Sequence, residues 1–578
     1  MKPVQSAKIV YRQALANVFY GKELIGDSID DNSIWKSIPP SISEFFDLRN
    51  GWFKEPFYPI QDSFVKELIG DNPLIWDNKY DEGHAFWGKG SGKDRTIAKL
   101  MVYLVVKLLH MKCPQKGLET FIPNGIGTLG IDSPIDLANV SKDEKQAKNV
   151  FFKNLKSIVS RVINPKTGKN FFKEVGCDIR EGKDLQQSAI LFPYNITCHS
   201  LNSMRYAGEG MNLFVVVADE IGASPVDRIR TQLNSIRETV ASRFPTIGKL
   251  LLMSFKYEEN CAMSIEYRLG LKDDRILSSK SATYEVNPQK SKSTFKKFYI
   301  RDPFRAMMTY ECESHVNQGS GYIVQKDVIP WALSKNINPV IGDLITTNNL
   351  LGIDFKSWFF SSLSGCNCSI HIDLAKGDIG IGQDSCGIAM THPIMIVPNV
   401  HPKVLEFLKK VGIVNYNDEL LIQRKGINID LALRIIAPSG SEIKFADIIT
   451  FVKVLKQKGV NIHKCSYDGW GSVGEIQRLN SLGIVSETLS VDRDTAPYDT
   501  LKELLYLGLV KGYKNEILER ELKDLIKNEK GKIDHPVVSW LRMEQEGKDK
   551  GSKDVSDGVA GSGYISIKEI SLDTGICW

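Results

Sequence analysis

Trp87-Gly88-Lys89-Gly90-Ser91-Gly92-Lys93-Asp94 is a glycine-rich turn, and residues 95–107 (RTIAKLMVYLVVK) continue it as an apolar-rich helix. A turn of this kind feeding a helix leaves backbone N–H groups and the positive helix end aimed at one spot, which suits a phosphate chain. Lys93 is placed to reach the outer phosphates, and Gly88, Gly90, Ser91 and Gly92 let the backbone approach them closely. The pattern departs twice from the usual phosphate loop. Its first glycine falls at 88 rather than 87, and Asp94 stands where a Ser or Thr normally binds Mg²⁺. An unscreened carboxylate about 4 Å from a phosphate charge costs about 4 kcal/mol at a surface-like dielectric, so Asp94 calls for a cation between them. Thr96 is the alternative hydroxyl.

Working outward, residues 213–218 (LFVVVA) form a continuous apolar run ending on Asp219-Glu220. Such a run is a strand buried on both faces, as in a parallel sheet. Ligands of open α/β sheets bind at the carboxyl ends of the strands. Asp219 there suits holding Mg²⁺, and Glu220 suits polarising the water that attacks a γ-phosphate. The next buried strand, residues 249–255 (KLLLMSF), carries Ser254 near its tip, a position from which a polar group senses that phosphate. Upstream, residues 57–61 (FYPIQ) offer an aromatic, a proline and Gln61 for an adenine base. Lys89 is the most specific candidate for neutralising transition-state charge, ahead of Arg205, Arg228, Arg237 and Arg243.

A chain of 578 residues has room for two to four domains. Hydrophobic residues at 42% and charged residues at 25% are those of an ordinary globular protein. No stretch of 18 apolar residues exists, so no membrane association is expected; the start of the sequence lacks a signal-peptide pattern, and the expected location is the cytoplasm. The cysteines are dispersed without zinc-ligand spacing, as for reduced thiols. The net charge of +5 permits a nucleic-acid partner without requiring one.

The second half carries a different pattern. Residues 368–375 (CSIHIDLA) alternate as a strand bearing Asp373, and a turn leads to a hairpin partner, CGIAMTHP. A third strand (431–437), a helix (446–458) and a fourth strand (461–467) follow, the last ending at Asp468. Residues 553–561 (KDVSDGVAG) start a helix with small residues on its packing face and bring Asp554 and Asp557. Clustered carboxylates raise one another's pKa unless cations neutralise them, so these acids suit two Mg²⁺ or Mn²⁺ ions acting on a phosphodiester. The order of elements fits an RNase H-like fold.

Taken together, the motifs at 88–94, 213–220, 249–255, 371–375, 466–472 and 553–561, with 57–61 and 141–152, resemble the large terminase subunit of tailed bacteriophages. The resemblance implies an α/β chain: an N-terminal P-loop NTPase domain with a mostly parallel sheet and a C-terminal RNase H-like nuclease domain. The implied boundaries are an N-terminal helical extension over 1–50, the ATPase over 51–330, a linker over 331–360 and the nuclease over 361–578. It implies ATP with Mg²⁺ at Lys93, Asp219 and Glu220, Lys89 where the family often has an arginine finger, and coupling through Ser254. It implies two divalent metals on Asp373, Asp468 and Asp554, with Asp557 as a further candidate. Its implied partners are double-stranded DNA, a portal protein, a small terminase subunit and further copies in a ring. Two other readings are a helicase–nuclease fusion and a non-catalytic, nucleotide-gated DNA clamp. The fusion needs a second motor domain, but the pattern weakens after Ser254; Glu220 and the acid triple argue against the clamp.

Overall fold

The computed structural model describes residues 33–77, 79–122, 129–141, 151–202, 210–314, 321–340, 344–374, 385–412, 422–438, 441–468, 473–491, 494–528, 531–535 and 553–569. The chain divides into two compact units, one of residues 1–291 and 307–314, the other of residues 292–306 and 315–578.

The first unit is built on a seven-stranded sheet of order β3-β4-β2-β5-β6-β1-β7. Its strands are β1 (Glu82–Trp87), β2 (Ile135–Ser141), β3 (Ala189–Phe192), β4 (Ile196–Asn202), β5 (Leu213–Asp219), β6 (Lys249–Ser254) and β7 (Ile276–Ser281). All neighbours are parallel except β3 with β4. The apolar run of β5 is buried along its whole length, and from Val215 onward its side chains alternate between two cores. Val215 and Val217 join the cluster that includes Leu100 and Leu104, while Val216 and Ala218 join the one that includes Ile229 and Leu233. A strand covered on both faces needs no polar alternation.

Three helices complete the frame of the first site: α1 (Pro59–Ile69), α2 (Lys93–Leu109) and α3 (Val226–Arg243). Helix α2 is apolar nearly all round because it is buried nearly all round. The segment expected to be a separate extension contributes to this core. Trp35, Phe45 and Phe46 are buried in it, and a short helix, Ile42–Phe45, is closed by a Ser41/Glu44 capping box. Residues 1–32, where the rest of that extension was expected, lie outside the described residues.

The second unit has a seven-stranded sheet whose path is β13-β12-β9-β10-β11-β14, with β8 pairing β11. Its strands are β8 (Leu344–Thr346), β9 (Asn367–Asp373), β10 (Cys386–Ile396), β11 (Arg424–Ile436), β12 (Asn461–Asp468), β13 (Ser486–Thr488) and β14 (Val510–Lys511). β9, β10 and β11 form an antiparallel meander, and β12 then lies parallel on the other side of β9. That is the RNase H-like order, with the first strand in the middle. Helices α4 (Phe445–Gln457), α5 (Val473–Ser481), α6 (Ala496–Tyr506) and α7 (Asp554–Lys568) surround it.

Two expectations change here. β11 begins seven residues before the strand expected at 431, because its polar start, RKGINID, pairs with the far end of the long β10. Residues 331–360 are not a linker: Val340, Leu350 and Phe359 are buried in the second core, and β8 extends the sheet. Their Pro, Asn and Gly content marks irregular backbone, which a core can hold as well as a linker can.

Helix α7 contains Gly558, Gly561 and Gly563, each costing a helix about 1 kcal/mol relative to Ala. Close packing accounts for at least one of them. A Cβ at Gly561 would lie 2.3 Å from Cγ of His371 on β9. Gly387 is equally tight, since a Cβ there would meet the Asp554 carbonyl at 1.8 Å. These glycines let the helix start rest directly on the strand ends. Gly561→Ala should therefore lower the melting temperature, with overpacking of about 1–3 kcal/mol exceeding the gain in helix propensity. Thermal unfolding checks this; a raised melting temperature would mean that α7 is free to move off the sheet.

Candidate nucleotide and metal sites

β1 runs into the glycine-rich turn, and α2 begins at Lys93 with no side-chain cap, so its first-turn N–H groups are left for a ligand. The glycines are required by geometry. A Cβ on Gly88 would lie 2.2 Å from the Tyr310 carbonyl, and Gly92, the N-cap of α2, has φ of +88°. Thr283 Oγ1 donates to the Lys89 carbonyl at 3.0 Å, and the Lys89 N–H donates to Thr309 O at 2.8 Å. Gln61 is buried in the first turn of α1. Its Nε2 donates to Ser91 O at 3.1 Å, and its Oε1 accepts from the Tyr58 N–H at 3.2 Å. The amide expected at a base edge is thus engaged with the loop's own backbone.

Lys93 is buried and Lys89 exposed, yet their Nζ atoms lie 5.5 and 5.6 Å from the centroid of the Phe255 ring. Asp219 ends β5 inside the same charged set. Burial first, then Asp94 and Glu220, push its carboxyl up to about 8 against the opposing Lys93. Asp94 therefore sits within electrostatic reach of Asp219. Oδ1 of Asp219 is buried without a hydrogen-bond partner, and two carboxylates with an unsatisfied oxygen suit a hard cation such as Mg²⁺. Thr96, the alternative hydroxyl, donates its proton to Gly92 O at 3.0 Å, which leaves its oxygen lone pairs for a cation.

Glu220 follows with φ 52° and ψ 37°, a left-handed conformation that costs a non-glycine residue about 1–3 kcal/mol. Its Oε2 accepts a hydrogen bond from the Tyr257 hydroxyl at 3.1 Å. Ser254 Oγ accepts from the Gly222 N–H at 3.2 Å and donates to Phe255 O at 3.0 Å, which ties the tip of β6 to the segment carrying Glu220. Arg237 is committed elsewhere, bridging Glu82 and Glu266. Arg205 lies outside the described residues. Nothing in the sequence pointed to Tyr257, which reaches Glu220 across 37 residues.

In the second unit, Asp373 and Asp468 are opposite each other in the parallel β9/β12 ladder, each the last residue of its strand. Asp557 arrives from the first turn of α7, and donor oxygens of the three lie within 4.8 Å of one another. The third acid of this set is Asp557 rather than the first-choice Asp554. Asp554 instead accepts a hydrogen bond from Ser385 Oγ, which in turn accepts from Arg434 Nε at 2.9 Å. Asp557 is 1% exposed; it accepts from the Tyr498 hydroxyl at 2.5 Å and pairs with Lys553 Nζ at 2.5 Å. Burial, then Asp557 and Asp554, with Asp468 adding less, push the Asp373 carboxyl up to about 9 against Lys553. Oxygen-only donors crowded this way fit hard divalent cations.

A raised pKa in the folded state means that Asp373 contributes stability below its unfolded pKa near 4, lost as pH climbs through about 9. Stability of the metal-free protein should fall across that window, and Mn²⁺ should restore it increasingly as pH rises. Asp373→Asn should flatten both trends in a melting-temperature series. Equal Mn²⁺ shifts at pH 5 and pH 8.5 would count against metal binding at Asp373.

The expectation of no membrane span agrees with the helices: none of the described ones is long and apolar enough to cross a membrane. An uncharacterized protein of the archaeon Methanocaldococcus jannaschii, MJ0330, is 25% identical over 328 residues, 55% of each chain, so the chain spans about half the length of that relative. Among solved structures, the HK97 bacteriophage large terminase matches at 12% identity, covering 90% of this chain and 98% of its own, with a TM-score of 0.33. The large terminase of a thermophilic bacteriophage, in complex with ADP, matches at 12% identity, 89% and 99% coverage and a TM-score of 0.39. The large terminase nuclease of the thermophilic phage G20c matches at 14% identity, 34% and 81% coverage and a TM-score of 0.21. Large terminases, the family that the motifs resemble, are thus among the proteins similar to this chain. The family model described as the N-terminal P-loop domain of uncharacterized protein MJ0330 matches residues 23–312, half of the sequence, and the chain belongs to that family.

Proposed function

We propose that the chain is a DNA-translocating ATPase with a metal-dependent DNA endonuclease, of the kind that packages viral DNA into procapsids. The observation that carries this reading is the presence, in one chain, of Asp219 and Glu220 beside a phosphate loop and of the Asp373, Asp468 and Asp557 cluster in a separate unit.

In the first site, Lys93 and the free N–H groups of α2 bind and orient the phosphate chain of ATP. Lys89 neutralises developing charge from the loop, as a point charge rather than the bidentate fork of an arginine. Asp94 and Asp219 would hold Mg²⁺, which when bound supplies charge neutralisation on the phosphates. Glu220 orients the attacking water, and Tyr257 fixes the carboxylate that does so. Ser254 links β6 to the Glu220 segment through Gly222, so a shift at the γ-phosphate passes directly into the next strand.

In the second site, Asp373, Asp468 and Asp557 hold the divalent ions, which when bound supply charge neutralisation and a water of lowered pKa. Lys553 and Tyr498 position Asp557, and Ser385 positions Asp554 at the rim. Substrate contact runs through phosphates and is sequence-independent, hence sensitive to salt. Double-stranded DNA as substrate, a portal protein, a small terminase subunit and a ring of copies on the portal complete the proposal, as does a cytoplasmic location.

Glu220→Gln should lower ATP turnover by about 100-fold or more while leaving nucleotide binding in place; unchanged turnover would remove Glu220 from the mechanism. Plasmid cleavage with Mn²⁺ should be lost in Asp373→Ala and Asp557→Ala while ATPase activity persists. Asp554→Ala should reduce cleavage less than Asp557→Ala. Equal cleavage by wild type and Asp373→Ala would place the cutting elsewhere.

A further inference from the structure

Well away from the acid cluster, the second unit holds another set of donors. Cys368 is the second residue of β9, His392 lies in β10 and Asp430 in β11. Their relative exposures are 0%, 6% and 6%, and one donor atom from each lies within 4.8 Å of the others. We propose that these three residues form a binding site for a thiophilic divalent cation of the zinc class.

The backbone is shaped to bring them together. Thr391 pairs with Ser369, which sets His392 and Cys368 one step further along the same ladder. On the other side His392 pairs with Asn428, Thr391 with Ile429, and Met390 with Leu431, so Asp430 is the extra residue of a β-bulge. A bulge re-aims a side chain, and here it delivers a carboxylate to His392, whose Nδ1 is 2.8 Å from Asp430 Oδ2. Without the bulge, Asp430 and Leu431 would point to opposite faces.

A second layer of polar groups holds the carboxylate. Asn428 Nδ2 donates to Asp430 Oδ1 at 2.7 Å, and Asn428 Oδ1 accepts from Asn336 Nδ2 at 2.8 Å. Such outer partners are usual around metal ligands, orienting them and raising their basicity. The Cys368 thiol is weakly engaged, its hydrogen bond being to Cys366 O at 3.9 Å. The surroundings are apolar, with Ile370, Met390 and Leu431 in the same buried cluster.

The donor set selects the ion class. One sulfur, one imidazole nitrogen and one carboxylate oxygen suit a borderline-soft cation, whereas Mg²⁺ takes oxygen ligands. Donors about 2.0–2.3 Å from an ion in a tetrahedron stand about 3.3–3.8 Å apart; all three donors already lie within 4.8 Å of one another, and the His392–Asp430 pair at 2.8 Å opens slightly when an ion comes between them. The site is separate from the acid cluster. Cys368 and Asp373 are five residues apart on β9, about 16 Å along the strand, and an odd spacing puts them on opposite faces of the sheet. A cation there would clamp the three meander strands at the end of the sheet remote from Asp373.

The test uses the full chain, reduced and stripped of metal, titrated with Co²⁺ and then Zn²⁺. The expected result is one equivalent of Co²⁺ giving a thiolate-to-cobalt charge-transfer band in the near ultraviolet, bleached by Zn²⁺. Cobalt at the acid cluster has no thiolate and gives no such band. Cys368→Ser should abolish the band, Cys465→Ser should retain it, and Asp430→Asn should weaken Co²⁺ binding about 10–100-fold. Absence of the band in the wild-type protein overturns the proposal without any variant, as does its persistence in Cys368→Ser. Either result would leave His392 and Asp430 as a buried hydrogen-bonded pair. Should Cys368→Ser not fold, by far-ultraviolet circular dichroism, loss or retention of the band in His392→Gln decides the matter.

Discussion

Two aspartates facing each other across a parallel ladder, with a third brought in by a helix, set the terms on which the second unit is built. Asp373 and Asp468 cannot separate without breaking the β9/β12 register. Asp557 cannot retreat while glycines hold α7 against β9 and β10. Like charges at this spacing repel, which pushes the Asp373 carboxyl's pKa up, and the protein sets a lysine and a tyrosine hydroxyl on Asp557. Fixed backbone and unresolved charge together are what a cation site requires before the cation arrives.

The first unit meets a comparable demand by other means. Its conflict lies between Asp94, Asp219 and Glu220 on one side and Lys93 on the other. Gly92 takes its left-handed turn without strain, while the backbone carries strain at Glu220. Side chains from distant segments then pin the loop, Gln61 from α1 and Thr283 beyond β7, while Tyr257 beyond β6 holds Glu220. The substitution of Asp94 for a hydroxyl residue is matched by its surroundings, since a carboxylate there lies within electrostatic reach of Asp219, and a pair of carboxylates suits a divalent ion.

Much of this was legible in the sequence because it is local. The phosphate loop, the buried run before Asp219, the alternation around Asp373 and the small residues of the last helix all follow from residue size, apolarity and period. The spans of β5, β6 and β12 match the reading to within a residue or two. What lay beyond reach depended on pairing partners far apart in the chain. Whether Asp554 or Asp557 joins the acids turns on which side of a helix turn faces β9, and Ser385, Lys553 and Tyr498 sort the two. The bulge at Asp430 has no signature in a run that reads simply as apolar with polar interruptions. The stretch 331–360 read as a linker because its polar, Asn-rich composition reports backbone irregularity, not burial.

The sequence by itself determined the two halves, the phosphate loop with its downstream acids, and the strands that carry Asp373 and Asp468, because periodicity and turn chemistry act over a few residues. Only the tertiary structure decided which acids share a site, which polar groups hold Glu220 and the loop, and that Cys368, His392 and Asp430 meet. Those contacts depend on strand register and on the close approach of a glycine-lined helix, and neither is written in any single stretch of the chain.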